Sequence, residues 1–219
     1  GKIKIEKEFD KIDYSISSIN KKLNFASKID LEKTALNINH LNYIKDKKLK
    51  TQVEIMGSYE KNNRLTFNKI SLIEKKNKIL LKDLILDKEN KIIKIDEINL
   101  DYFDSENKKN NFLIKRKQKN NYELNGQILN ANSLISNLLK SKDSKNPRIF
   151  KHNINLTLNL AEVFIDKMNV VKNLKGKLYS ENNKIVEANI VAFFDNGENF
   201  TFTIKTNGEN EKITTLYSS

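Results

Sequence analysis

The feature that most limits what this chain can fold into is its alternation of apolar and polar residues. Ile154, Leu156, Leu158 and Leu160 alternate with Asn155, Thr157 and Asn159. Val186, Ala188, Ile190, Ala192 and Phe194 make a second run, and Phe200, Phe202 and Ile204 a third. Leu49, Thr51, Val53 and Ile55 do the same near the start, and Tyr122, Leu124, Gly126 and Ile128 in the middle. Successive side chains of a strand point to opposite faces, so period-two spacing gathers each set on one side. The expectation is a series of strands with one apolar face and one polar face.

Polar punctuation recurs between these runs. It falls at 61–63, 88–90, 105–107, 119–121, 181–183, 195–197 and at Asn207-Gly208. Only six glycines are present. Asn tolerates the left-handed region and is expected to take the turn role where Gly is missing. Strands with turns every 8–12 residues indicate an antiparallel meander, barrel or sandwich. The chain offers about fifteen strand candidates on this reading.

One segment breaks the rhythm. Leu134, Ile135, Leu138 and Leu139 have helical spacing, which predicts a short helix at about 131–140. Asn130 or Asn132 is placed to cap it. The only proline, Pro147, lies in the polar stretch that follows. The strand pattern then resumes unchanged, so 131–147 reads as a helix-and-loop insertion in a single architecture covering 1–219. The chain begins at Gly1 without Met, and is expected to be a segment of a longer protein.

Apolar residues make up 38% of the chain, against roughly 45–50% in an ordinary globular domain. That suffices for one apolar sheet face but is thin for a second layer of equal size. Lys+Arg exceed Asp+Glu by 12. The excess is nearly all Lys in a sequence rich in Asn and Ile, which favours a compositional origin over an anionic partner. The densest basic run, Lys115-Arg116-Lys117-Gln118-Lys119, has no interleaved aromatic platform of the kind single-strand binders use, so no nucleic acid is expected. No apolar run approaches the ~20 residues needed to cross a bilayer as a helix.

Catalytic signatures are missing. With no Cys and two His, His40 and His152, no zinc set of four N/S ligands is available. There is no Gly-x-Ser-x-Gly elbow and no phosphate-cradling glycine loop. Asp195-Asn196-Gly197-Glu198-Asn199 superficially resembles the start of a calcium loop, but Thr206 stands where the twelfth-position Glu belongs, and a hairpin turn is the better reading. No catalytic residue, metal or cofactor is expected, and the chain is read as non-enzymatic.

Leu124-Asn125-Gly126-Gln127-Ile128-Leu129-Asn130-Ala131, leading into Leu134-Ile135-x-x-Leu138-Leu139, resembles the strand-to-helix junction of the AsmA-like family. So do Leu158-x-Leu160-x-x-Val163-x-Ile165, Leu174-Lys175-Gly176-Lys177-Leu178 and the closing runs 200–204 and 212–216. The likeness covers about residues 121–219. It implies a long, twisted and curved, taco-like open sheet whose concave face holds phospholipid acyl chains. It also implies a periplasmic setting, with the parent protein anchored in the inner membrane by a segment outside this chain, and a role in lipid transport between the two membranes or in envelope maintenance.

The residues expected to line such a groove are Leu156, Leu158, Leu160, Leu174, Leu178, Ile190, Ala192, Phe194, Phe202 and Ile204. Two alternatives remain open on the sequence. One is a structural or assembly scaffold in which the same faces close into a dry core. The other, weaker one is binding of an anionic polymer by the basic strand faces.

Overall fold

The computed structural model describes residues 1–5, 8–60, 64–135, 150–182, 184–206 and 212–219. The protein is mainly β. Among the described residues the strands form one mostly antiparallel open sheet of fifteen strands, with a separate two-stranded ribbon. The hydrogen-bonding path has two ends and does not close into a barrel. The chain divides into two compact units, Gly1–Lys109 and Asn110–Ser219.

In the first unit the sheet strands are β1 (Lys2–Lys4), β2 (Phe9–Ile19), β3 (Lys22–Leu31), β6 (Thr51–Glu60), β7 (Arg64–Glu74), β8 (Asn77–Leu86), β9 (Ile92–Lys94) and β10 (Glu97–Phe103). Their order is β1-β2-β3-β6-β7-β8-β10, with β9 also paired to β8. The ribbon is β4 (Leu36–Ile38) with β5 (Tyr43–Lys45), joined through a 3-10 turn at Asn39–Leu41. In the second unit β11 (Lys109–Gln118), β12 (Asn121–Asn130), β13 (Ile154–Phe164), β14 (Val170–Glu181), β15 (Lys184–Phe193), β16 (Asn199–Thr206) and β17 (Lys212–Ser218) follow one another in chain order.

Turn chemistry explains the spacing. Asp87 Oδ1 accepts from the backbone N–H groups of Glu89 (2.9 Å) and Lys91 (3.0 Å). Asp104 Oδ1 does the same for Glu106 and Lys108, both at 2.9 Å. In each loop an Asn three residues on, Asn90 or Asn107, takes a positive φ of 59° or 57°. Asn20, Asn42, Asn120, Asn173 and Asn182 are also left-handed. Asn therefore supplies the conformation that glycine supplies in most hairpins, as the sequence indicates. Gly197, at φ 86°, closes the 195–198 hairpin, where Phe194 and Glu198 pair. The hairpin turn expected at Asp195–Asn199 is therefore present. The expected turns at 61–63 and Asn207-Gly208 lie outside the described residues.

One pairing departs from the antiparallel plan. β12 and β13 are parallel, from Asn121↔Asn155 to Asn130↔Phe164. Parallel neighbours require a crossover of about a dozen residues or more, and the insertion after Asn130 supplies it. Residues 132–135 are helical, with the Ile135 N–H donating to Ala131 O at 2.9 Å. Asn130 Oδ1 accepts from the Asn132 N–H at 3.2 Å, the cap expected of it. The rest of the expected helix, with Leu138, Leu139 and the loop to Pro147, lies outside the described residues. No helix among the described residues is long and apolar enough to cross a membrane.

Candidate functional site

The ten residues expected to line a groove fall on one face of the second unit. Residues directly opposite each other across a ladder share a face, so pairing extends each one into a row. Tyr122, Leu156, Leu178, Ala188 and Ile204 form the first row, from β12 to β16. Leu124, Leu158, Gly176, Ile190, Phe202 and Leu216 form the second and reach β17. Gly126, Leu160 and Leu174 run from β12 to β14, and Ala192↔Phe200 continues that level on β15 and β16. Phe194 lies just past β15 and meets the Phe200 ring edge-on, with centroids 5.8 Å apart.

Leu158, Leu160, Leu174, Ala192 and Ile204 are buried, and Leu156, Leu178, Ile190, Phe194 and Phe202 are half-buried. Gly176 has a steric task in the second row. A Cβ there would stand 2.9 Å from Ile190 Cα and Cγ1 and 2.5 Å from Asn189 O, so the missing side chain lets Ile190 lie across β14. Val163 and Val171, opposite each other and fully buried, belong with the core of this unit and were not among the expected lining residues. Asn173 takes a left-handed φ of 53°, and β14 shifts register against β15 between Lys172 and Lys175. Across that slip the buried positions on β14 change from odd (Val171) to even (Leu174), which simple alternation does not follow.

The opposite face is polar. Asn155 donates to Asn121 Oδ1 at 3.0 Å, and Asn159 to Asn125 Oδ1 at 3.3 Å. The basic run on β11 is partly neutralised, since Lys117 Nζ lies 2.9 Å from a Glu123 carboxylate oxygen. Lys172 similarly pairs with Asp195 at 2.8 Å. His152 is exposed ahead of β13, and His40 is exposed in the 3-10 turn.

The first unit repeats the one-face design. Ile12, Ile29, Val53, Leu72, Ile79 and Leu100 form one continuous row across β2, β3, β6, β7, β8 and β10. Tyr14, Ser27, Ile55, Ile70, Leu81 and Ile98 form the next. Ile16, Phe25, Gly57, Phe67 and Leu84 form a third, where Phe25 and Phe67 meet edge-on at 5.9 Å.

At one end of this face sits a polar cluster that alternation gives no sign of. The Asp10 carboxylate accepts from the N–H groups of Glu32 and Lys33 (both 2.9 Å) and Thr34 (3.1 Å), and from the Thr34 hydroxyl. Burial opposes its charge, but these four bonds outweigh burial and hold the carboxyl below the usual range. Lys45, fully buried, donates to Thr34 O at 2.6 Å. Its desolvation lowers the ammonium pKa, and the charges of Asp10 and Glu74 oppose that shift. The Tyr43 hydroxyl donates to Glu74, and the Tyr43 ring meets Tyr102 edge-on at 6.0 Å. Tyr102 donates to Leu41 O at 2.7 Å. Burial first, and the neighbouring carboxylates second, push both phenols well above their ordinary value. The charged residue types here read as solvated in a sequence, which is why they went unmarked.

Among the described residues no group of three or more His, Asp or Glu side chains is placed to hold a metal ion. Searches against known protein families, functionally characterised proteins and solved structures found no match.

Proposed function

We propose that this chain is a non-enzymatic lipid-binding segment whose apolar sheet face shields phospholipid acyl chains. The observation that carries the reading is the second row, Leu124-Leu158-Gly176-Ile190-Phe202-Leu216, apolar across six successive strands of an open sheet. Toward Ile190, Phe202 and Leu216, which are half-buried to exposed, this face is accessible, and an accessible apolar face marks a site of contact with something else. Acyl chains suit it, because each buried CH₂ contributes about 0.8 kcal/mol without requiring a polar partner. The resemblance of 121–219 to the AsmA-like family supports the same class. On that reading the setting is the periplasm, the parent protein is membrane-anchored, and the cargo moves between inner and outer membrane.

The test is mass spectrometry of protein purified without detergent. Phospholipid should co-purify with the wild type and be lost from Leu158→Asp and Phe202→Asp variants that keep their β circular-dichroism signal. Wild-type protein free of lipid, with no affinity for added phospholipid, would sink the proposal and favour a scaffold with a dry core.

A further inference from the structure

The segment 32–50 is not needed to make the sheet. β3 and β6 pair without a break from Lys22↔Glu60 to Leu31↔Thr51, and two such strands are ordinarily joined by two to five residues. Here the chain instead leaves Leu31, builds β4, the 3-10 turn and β5, and returns at Thr51.

Apart from Ser105 just past β10, whose N–H and hydroxyl bond to Asn42, its anchors belong to one level of the apolar face. Asp10, Leu31, Thr51, Glu74 and Tyr102 lie two residues beyond Ile12, Ile29, Val53, Leu72 and Leu100 on their strands, so they share that face and form its terminal row. Tyr43 and Lys45, both 0% exposed, sit over this row and bond to Glu74 and, through Thr34, to Asp10. The face is graded away from them. Leu31 is 4% exposed and Ile29 8%, whereas Leu23 is 40%, Tyr59 41%, Ile16 61% and Tyr14 66%. On β2, β3 and β6 the apolar surface is therefore shut at one end and open at the other.

The length between is informative. From Ile29 to Leu23 along β3 is six residues, about 20 Å at 3.2–3.4 Å per residue. One lipid leaflet contributes about half of the ~30 Å hydrocarbon core of a bilayer. The apolar stretch thus accommodates one acyl chain lying along the strands.

We propose that residues 32–50 form an end-stop in the first unit, so that an acyl chain lies with its terminal methyl over Ile12 and Val53, the half-buried residues of the row next to the buried Tyr43 and Tyr102, and its head group at the open margin beside Leu23 and Tyr59. The proposal rests on the lipid reading above and adds a direction and a length limit to it. A charged head group is excluded from the stopped end because the Asp10 and Glu74 carboxylates are already bonded within the fold and Tyr43 and Lys45 are fully buried. At the open margin the head group stays in water, which avoids the cost of burying a charge.

The experiment uses the full chain and lysophosphatidylglycerol below its micellar concentration, spin-labelled either at the last acyl carbon or at the head group. Amide NMR signals report which residues each label broadens. The chain-end label should broaden Thr34, Tyr43 and Lys45, and the head-group label Ile16, Leu23 and Tyr59. With unlabelled lipid, affinity should rise about fourfold per added methylene and level off once the chain spans the slot. The reverse polarity, identical broadening by both labels, or binding confined to the second unit would overturn the end-stop while leaving the lipid reading intact. No binding to either unit would remove the lipid reading itself.

Discussion

Asp10, Thr34 and Lys45 form a relay in which each side chain's partner is itself buried. Removing the Asp10 charge weakens the bonds it accepts from Thr34 and the 32–34 backbone, and a hydrogen bond to a charged group is worth about 1.5–3 kcal/mol. We expect Asp10→Asn to lower the urea midpoint accordingly. The pH dependence has a definite sign. Because the folded carboxyl is held below its unfolded value, its contribution is complete above the unfolded carboxylate range and is lost as pH falls through the folded value. Acid titration of stability should therefore be shallower in Asp10→Asn than in the wild type. A second residue makes the opposite prediction. The Thr51 hydroxyl is buried in the same row without a hydrogen-bond partner among the described residues. Thr51→Val keeps the shape and removes the stranded hydroxyl, so it should stabilise by up to about 1 kcal/mol; a clear loss in denaturant would contradict this.

At the scale of elements, the hairpins divide the work between an aspartate and an asparagine. Asp104 gathers the turn's N–H groups while Asn107 supplies the left-handed residue. Asn107→Ala should cost up to about 1 kcal/mol, since the short amide side chain of Asn offsets the left-handed penalty by local hydrogen bonding and a methyl group does not, whereas Asn107→Gly should stay within a few tenths. Equal losses in the two variants, measured by denaturant unfolding, would show that the Asn side chain rather than its backbone angle matters. These turns and the strands they join were legible in the sequence because period-two spacing and Asn-rich punctuation are local signals. That the ten residues expected to line a groove share one face was legible for the same reason. The slip at Asn173 was not, because one left-handed residue inside a strand leaves no mark on composition. The segment 32–50 was hidden for a different cause: Lys45 and Glu74 are buried by contacts with residues far along the chain, and no local pattern distinguishes them from solvated charges.

At the scale of the whole chain, strands neighbour in space those they neighbour in sequence, apart from β4 and β5, which leave the sheet between β3 and β6, and β9, which pairs with β8 but lies off the path from β8 to β10. Most contacts therefore need only short loop closures, an arrangement that favours fast folding for an all-β protein. Strand direction is the one global property that alternation cannot encode, because a period of two reads the same from either end. The parallel alignment of β12 with β13 was accordingly invisible until the chain was folded.

That alignment leaves a signature open to chemistry. In a parallel pair the partners differ by a fixed number, and here 155 − 121 and 164 − 130 both equal 34. An antiparallel arrangement of the same four asparagines would instead match Asn121 with Asn159 and Asn125 with Asn155. The native chain has no cysteine, so introduced thiols meet no background. Asn125→Cys with Asn159→Cys should oxidise readily, since strand neighbours about 4.8 Å apart fall within the 4.4–6.8 Å that a disulfide spans. Asn121→Cys with Asn159→Cys, about 13 Å apart along the strands, should stay reduced. Four outward-facing asparagines thus work as a compass: which two thiols join reports the direction in which the chain re-enters its own sheet.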